Sequence, residues 1–224
     1  MRNRLRSAIA LLLILGATVA LDHALDVEWF SALLIAVVVS MGAWECDALF
    51  RLRRRLRSPE AAPDLLDVVG PALLAVVCVV LPGAFLLALR LQEHGLLPLL
   101  YLIAVAKMVD NGALFVGTLW GRHKLAPEIS PAKTVEGVCG GLFTGIASAV
   151  LLGPLCVGGR FLFFMIFGLT IGLLSILGDL AESLLKRGAG VKDSGSLFPG
   201  IGGVLDLMDS ILLSAPVGYF LLAP

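Results

Sequence analysis

Long apolar runs separated by short polar segments dominate the sequence. A helix needs roughly 20 apolar residues to cross the hydrocarbon core of a bilayer, and seven runs approach that length. The third run is longer than needed and contains Leu81-Pro82-Gly83. It is therefore either one kinked helix or two short elements, which would raise the count to eight. The predicted spans cover residues 7–21, 29–46, 65–91, 96–120, 135–157, 161–187 and 204–222.

The composition supports a membrane protein. Of the 224 residues, 58% are hydrophobic and 15% are charged, and the mean hydropathy is +0.97, far above what a soluble domain needs for its core. We predict an all-α integral membrane protein, a polytopic bundle of about seven to eight transmembrane helices, with residues 1–224 forming a single membrane domain. The basic start and the apolar segment 8–21 also fit a signal peptide. We expect an uncleaved first span, because equally apolar segments follow it.

Lys and Arg are distributed unevenly between these spans. Under seven spans, fourteen of them fall on one side of the membrane, while Arg90 and Arg160 fall on the other. Cytoplasmic loops carry an excess of Lys and Arg, so we predict a cytoplasmic N-terminus, two cytoplasmic polar loops and a C-terminus outside, in a bacterial inner membrane. The run Arg51–Arg57 is a topology determinant or a contact for anionic headgroups. Seventeen basic and seventeen acidic residues cancel, and no overall basicity suggests nucleic acid.

Charged residues within the fourth span need a partner or a function, because charges at membrane depth are costly. Lys107 and Asp110 are three residues apart and share a helix face, which would suit an internal ion pair. Asn111 and Gly112 add polarity and a helix break that such a pair would not require. Both interpretations stay open.

The polar loop at residues 121–137 combines cations, hydroxyls and two prolines. These groups suit phosphate oxygens, and the following helix begins near Thr134 with its N-terminus available to an anion. The alternative is structural: Ser130 or Thr134 would cap that helix, with Glu136 in its first turn. The candidate phosphate ligands are Arg122, Lys124, Ser130, Lys133 and Thr134.

The longest polar segment covers residues 178–210. Asp206 and Asp209 are three residues apart on one helix face, and two like charges so close repel unless a cation or a proton intervenes. Carboxylates suit Mg²⁺, which proteins usually hold with one or two carboxylates and substrate phosphates. We therefore predict a metal and phosphate site here rather than internal ion pairing. The residues on one face of the preceding helix are Asp179, Glu182 and Lys186.

This segment resembles the C-terminal signature of the phosphatidate cytidylyltransferases, or CDP-diacylglycerol synthases, S-x-x-K-R-x4-K-D-x-G-x2-F-P-x-H-G-G-x2-D-R-x-D. The resemblance extends upstream to 107–137 with the segments D-N-G-A, G-R-H-K-L-A-P and I-S-P-A-K-T-V-E-G, where Ala132 replaces a usual lysine. Ile201 stands where the signature has His, and Leu207 where it has Arg, so roles of those two residues are not carried over. The positions in register are Ser183, Lys186, Arg187, Lys192, Asp193, Gly195, Phe198, Pro199, Gly202, Gly203, Asp206 and Asp209.

The resemblance implies transfer of the cytidylyl group of CTP to phosphatidate or a similar lipid phosphate, with Mg²⁺ as cofactor and a catalytic region over residues 107–210. Positioning and electrostatic stabilisation dominate such a reaction. The expected partners are CTP, the lipid and the bilayer; a homodimer stays open. The implied catalytic residues are Lys133, Lys186, Arg187, Lys192 and Asp193, the metal ligands Asp179, Asp193, Asp206 and Asp209, and the substrate-binding residues Asp110, Asn111, Arg122, Lys124, Ser130, Thr134, Ser183, Gly202 and Gly203.

Three other functions remain compatible with the sequence. A CTP-dependent lipid kinase would also need Mg²⁺, basic residues and a lipid site. A transporter could use Lys107, Asp110 and the carboxylates for translocation. A non-catalytic relative would explain Ile201 and Leu207, although all the acidic positions of the signature are kept.

Overall fold

The computed structural model describes residues 2–25, 27–57, 65–198 and 202–223, and nearly all of them are helical. One short antiparallel hairpin interrupts the helices, and one helix contains a π-helical segment, Val76–Val80. In chain order the elements are α1 (Arg2–Leu25), α2 (Trp29–Arg57), α3 (Leu65–Ala75), α4 (Leu81–Arg90), α5 (Leu96–Trp120), β1 (Lys124–Ala126), β2 (Ser130–Thr134), α6 (Val135–Cys156), α7 (Phe161–Gly188), α8 (Leu205–Leu212) and α9 (Ala215–Leu222).

Within the described ranges, five helices are long and apolar enough to cross a membrane. A sixth span results if α8 and α9, which are bent by 49° at their junction, are counted as one broken span. The predicted all-α, polytopic membrane class is confirmed. The count of seven or eight stays a prediction, because the apolar part described for α1, Leu13–Leu25, is shorter than a span. The five are Trp29–Leu56, Val69–Arg90, Leu96–Trp120, Val135–Cys156 and Phe161–Gly188.

Large apolar side chains cover the outer surface of these helices. Trp29, Trp44, Phe143 and Leu155 are each more than 70% exposed. Apolar area of this extent is rare on a soluble monomer, and the backbone polar groups of a helix are satisfied internally, as a bilayer requires. The surface is therefore suited to a hydrocarbon environment.

The third predicted span is continuous but irregular. The π-helical segment Val76–Val80 joins α3 to α4, and the amide of Leu81 donates to the carbonyl of Val76, five residues earlier. Pro82 follows in the first turn of α4 and has no N–H to donate. A π-helical turn is one way in which a helix accommodates such a loss. Of the two alternatives for this segment, the structure has a single helical span.

The last predicted span, 204–222, is two short helices. Pro216 lies in the first turn of α9, where its missing N–H breaks no intrahelical hydrogen bond. Hydropathy is uniformly high across the junction, so it gives no sign of the bend. The consequence for the site is that α8 is a short helix carrying both Asp206 and Asp209.

The chain separates into two compact units, residues 1–91 with 185–208 and residues 92–184 with 209–224. In the first unit, α2 packs on α3 and α4, and Arg90, only 3% exposed, pairs with Asp22 at 3.0 Å. Its guanidinium also donates to Ser31 Oγ at 2.6 Å. This buried cluster ties α1, α2 and α4 together. The single membrane domain expected from the sequence stays a prediction.

In the second unit, α6 packs closely on α5 through small residues. Gly137, Gly141 and Gly145 recur every fourth position and are buried, a spacing that lets membrane helices approach closely. Tyr101 of α5 stacks on Phe167 of α7 with ring centroids 4.8 Å apart. Its hydroxyl donates to the carbonyl of Ala149 in α6 at 3.0 Å. These contacts hold together α5, α6 and α7, which carry polar residues of the candidate active site.

Candidate active site

Three carboxylates of the second unit converge. Among the described residues, Asp179 and Glu182 of α7 and Asp209 of α8 each offer one oxygen within 4.8 Å of the others. Glu182 is only 7% exposed and the two aspartates are partly buried. Like charges this close repel unless a cation or proton intervenes, and their oxygens are the ligands that Mg²⁺ prefers. We call these three residues the carboxylate cluster.

Two lysines of the same unit accompany the carboxylate cluster. Lys133 Nζ lies 2.8 Å from Asp179 Oδ2, and Lys107 Nζ lies 3.9 Å from Asp209 Oδ1. Lys107 also pairs with Asp110 at 3.2 Å, as one of the two interpretations of the fourth span predicts. Ser210 joins this pair: its hydroxyl donates to Asp110 at 2.7 Å and accepts from Lys107 at 2.9 Å. The intramembrane charges of α5 thus adjoin the cluster.

Lys133 reaches Asp179 from a short β-hairpin that the sequence did not predict. β1 and β2 pair antiparallel, with Lys124 opposite Thr134 and Ala126 opposite Ser130. Glu136, in the first turn of α6, accepts the backbone amide of Arg122 at 3.1 Å and lies 2.6 Å from the ring of His123. This contact ties the start of the hairpin to α6.

Thr134 caps α6, which confirms the structural interpretation of that residue. Its Oγ1 accepts the amide of Gly137 at 3.1 Å, and its side chain is 4% exposed. Ser130 is half-buried, while the side chains of Arg122 and Lys124 are exposed. A cleft of about 240 Å³ brings together five of the ten candidates of this unit. Its polar lining is Asp110, Ser130, Lys133, Thr134 and Asp179.

Asn111 and Ser183 lie elsewhere in the same unit. Asn111 is exposed and lines a separate open groove with Phe115, Thr118 and Thr144. It is one residue after Asp110, a turn of about 100° on a helix, so the two do not share a face. The hydroxyl of Ser183 donates to Asp179 Oδ1 at 3.4 Å.

Asp206 belongs to the first unit, and both of its carboxylate oxygens accept hydrogen bonds from other residues of the chain. Its Oδ1 accepts from Lys186 Nζ at 2.6 Å. Its Oδ2 accepts from the amide of Gly203 at 2.7 Å and from the amide and hydroxyl of Ser194, both at 2.9 Å. The buried Glu45 of α2 accepts from the same hydroxyl at 2.9 Å. We call Glu45, Lys186, Ser194 and Asp206 the loop cluster.

The remaining signature residues lie close in sequence to the members of the loop cluster. Gly202 has φ +121°, a conformation open to glycine, and its amide donates to the carbonyl of Phe198 at 3.0 Å. Arg187 is exposed and donates to the carbonyl of Val191 at 3.2 Å. Lys192 and Asp193 are also exposed. Leu207 is half-buried in α8, whereas Pro199 and Ile201 lie outside the described residues.

The structure brings together two of the four predicted metal ligands, and the assignment of all four stays a prediction. Asp179 and Asp209 come together as predicted, but Asp193 and Asp206 are not in the group of acids that could share a cation. Glu182 is in that group. Its spacing from Asp179, one helical turn, was the signal that could have assigned it as a ligand.

Residues 60–223 match the model of the Cytidylyltransferase family, and the chain therefore belongs to this family. It is 40% identical over 161 residues to a phosphatidate cytidylyltransferase of Bacillus subtilis (strain 168), covering 70% of this chain and 59% of that protein. With a phosphatidate cytidylyltransferase of Haemophilus influenzae (strain ATCC 51907 / DSM 11121 / KW20 / Rd) it shares 43% identity over 149 residues, 61% and 52% of the two chains.

A third relative is the uncharacterized protein YnbB of Escherichia coli (strain K12), 40% identical over 128 residues, which cover 57% of this chain and 43% of the relative. The chain spans about half the length of the curated relatives it matches. The resemblance inferred from residues 107–210 is confirmed, and it lies within the matched range.

Proposed function

We propose that this protein transfers the cytidylyl group of CTP to phosphatidate, giving CDP-diacylglycerol and pyrophosphate. Membership of the Cytidylyltransferase family and the names of its relatives support this reaction. The observation that carries the proposal is the carboxylate cluster, which lies beside a cleft that also holds a lysine. A nucleotide triphosphate and a lipid phosphate are both anionic, and such a site supplies groups for each of them.

In the proposed reaction, a phosphate oxygen of phosphatidate attacks the α-phosphorus of CTP. The bond from that phosphorus to the oxygen bridging to the β-phosphate breaks, and pyrophosphate leaves. No general base is required, because phosphatidate is already anionic near neutral pH. The protein's task is to position two anions and to stabilise the charge on the leaving group.

The carboxylate cluster fits a Mg²⁺ ion by the chemistry of its donors, which are three carboxylate oxygens. When bound there by Asp179, Glu182 and Asp209, Mg²⁺ would offset triphosphate charge and orient the phosphates. Lys133 would neutralise phosphate charge in the cleft, and Asp110 would line its lipid-phosphate end. The roles of Lys186, Arg187, Lys192 and Asp193 stay predictions from the resemblance.

The proposed location of the site is the cytoplasmic face of a bacterial inner membrane. The Lys and Arg distribution supports this orientation, because both polar loops fall on the side with the excess of positive charge. A cysteine introduced at Glu128, an exposed residue of the hairpin, tests it in a variant whose four native cysteines are replaced by alanine. A membrane-impermeant maleimide should label Glu128→Cys in inverted vesicles and not in intact spheroplasts; the reverse pattern would refute the orientation.

The decisive experiment follows the label of CTP in the purified full chain with phosphatidate and Mg²⁺. Label from the α-phosphate should enter the lipid, whereas label from the γ-phosphate should not. Entry of γ-label would identify a CTP-dependent lipid kinase. Entry of neither label would refute both activities and leave a transporter or a non-catalytic relative. The proposal holds for a monomer and for a homodimer alike, because all the residues named belong to one chain.

A further inference from the structure

Glu45 is a buried carboxylate that no part of the proposed reaction uses. It lies in α2, is 5% exposed, and precedes the range 60–223 that matches the family. Its Oε1 accepts the amide of Val204 at 3.1 Å, and its Oε2 accepts the amide of Leu205 at 2.8 Å. The hydroxyl of Ser194 donates to Oε2 at 2.9 Å. A buried charge with three donors is strongly tied to its surroundings.

These contacts provide hydrogen-bond acceptors for amides at the start of α8. The first amides of a helix have no acceptor within the helix and are usually satisfied by a Ser, Thr, Asp or Asn side chain just before it. Here the carbonyl of Val204 accepts the amides of Leu207 and Met208, so Val204 occupies the cap position with an apolar side chain. Glu45, which belongs to α2, accepts the amides at the start of α8 instead and so caps this helix.

Two glycines of the signature leave room for this carboxylate. A Cβ atom added at Gly195 or at Gly203 would overlap the Glu45 side chain. Neither glycine has a left-handed backbone conformation, so the reason for glycine here is space. Gly203, which the resemblance assigns to substrate binding, lies against Glu45, and its amide donates to Asp206.

We propose that Glu45 is a positioning residue of this enzyme. It bonds to Ser194 on one side of the signature loop and to Val204 and Leu205 on the other, and the single proton of the Ser194 hydroxyl lies between Glu45 and Asp206. Lys192 and Asp193 directly precede Ser194 in the chain, so loss of this anchor should let both residues move. The kinetic part of this inference rests on the proposed function; the structural part does not.

Hydrogen exchange of the amides of Val204 and Leu205 tests the structural part. In the wild-type protein both amides should be protected, and in Glu45→Ala their exchange should be about tenfold faster or more, because two buried donors lose a charged acceptor. Glu45→Gln should give an intermediate rate, since its amide keeps one oxygen and turns a second group into a donor. Asp47→Asn, two residues on in α2 and paired with Arg51, is the matched control and should leave both rates unchanged.

Steady-state kinetics test the positioning role. Lys192, which the resemblance places among the catalytic residues, would bind the triphosphate. Its displacement should therefore raise KM for CTP about tenfold in Glu45→Gln, equal to about 1.4 kcal/mol, with KM for phosphatidate within about twofold of the wild type. A purely structural role would reduce kcat in proportion to the folded fraction and leave both KM values alone. That pattern would overturn the kinetic part.

Other results would also overturn parts of this proposal. Rapid exchange of both amides in the wild-type protein, or rates unchanged in both Glu45 variants, would overturn the structural part. The wild-type measurement needs no variant and therefore holds even if Glu45→Ala fails to fold. Absence of cytidylyl transfer in the wild type would defeat the proposed function, and hydrogen exchange alone would then decide whether Glu45 caps α8.

Discussion

In the loop cluster, the oxygens of Glu45 and Asp206 accept hydrogen bonds from amides, a hydroxyl and a lysine of the same chain. In the carboxylate cluster, three acids face one another within 4.8 Å. The first arrangement satisfies buried acceptors and fixes a loop. The second brings three acids together beside Lys107 and Lys133, and a bound cation would relieve the repulsion that these two lysines leave. Acids that look equivalent in the signature, Asp206 and Asp209, thus have different surroundings and should fail in different ways.

The largest loss of activity is expected from substitution of Asp209, the signature acid in the carboxylate cluster. Asp209→Asn removes a ligand of the proposed Mg²⁺, which would offset the charge of the reacting phosphates. Cytidylyl transfer should therefore fall about 100-fold or more. The measurement is α-label transferred from CTP to phosphatidate in purified protein. Glu128→Gln, an exposed carboxylate of the hairpin, is the control and should stay near the wild-type rate. A near wild-type rate in Asp209→Asn would remove Asp209 from the metal site.

Metal addition should stabilise the protein through the carboxylate cluster. A ligand that binds the folded state at 100 times its Kd adds about 2.7 kcal/mol to the free energy of unfolding. The thermal midpoint of the wild type should therefore rise with Mg²⁺ and return on chelation, while that of Asp209→Asn should respond far less. An equal rise in Asp209→Asn would mean that Mg²⁺ binds elsewhere.

Asp206→Asn should lower stability instead. The amide that replaces one oxygen faces donors from Lys186, Ser194 and Gly203, so at least one buried donor loses its acceptor, at a cost of about 1–3 kcal/mol. Thermal unfolding without Mg²⁺ measures this loss. The Mg²⁺-dependent rise of the midpoint should be kept. Unchanged stability together with a lost Mg²⁺ response would instead make Asp206 a metal ligand, as the sequence predicts.

Hydropathy predicts most of the fold because the bilayer imposes span length. The predicted span 96–120 coincides with Leu96–Trp120, and 161–187 nearly coincides with Phe161–Gly188. α2 runs on to Arg57, eleven residues past its predicted end, because arginine is a good helix former once the chain has left the hydrocarbon. The break between α8 and α9 gives no hydropathy signal.

The residues of the site were partly predictable from their spacing along the chain, whereas the fold was predictable from hydropathy. Motif spacing found Asp209 and Lys133, and helix periodicity found Asp179. The structure brings Asp179 close to Asp209 and, through the hairpin, close to Lys133. Motif spacing gave no signal for Glu45, whose partner Ser194 lies 149 residues further along the chain. Spacing along one helix also could not separate Asp206 from Asp209, because only the surrounding donors distinguish them.

The smallest expected effect compares two serines, Ser194 of the loop cluster and Ser210 beside the carboxylate cluster. Ser194 Oγ lies 2.9 Å from both Glu45 and Asp206, and its single hydroxyl proton separates two carboxylates. Ser210 Oγ lies between Lys107 and Asp110, which have opposite charges and already touch at 3.2 Å. Ser210→Ala should therefore cost about 1 kcal/mol of unfolding free energy, the net value of a hydrogen bond.

Ser194→Ala should cost more than Ser210→Ala, by about 1 kcal/mol, because it leaves like charges facing each other where Ser210→Ala leaves an ion pair. Thermal unfolding of the two variants in the same detergent and without Mg²⁺ gives the difference. Ser214→Ala, which removes a buried hydroxyl bonded to a backbone carbonyl at 2.9 Å, sets the value for a serine between no charges. If Ser194→Ala costs no more than that control, Glu45 and Asp206 do not repel each other, and the loop cluster is held by its amides and Lys186.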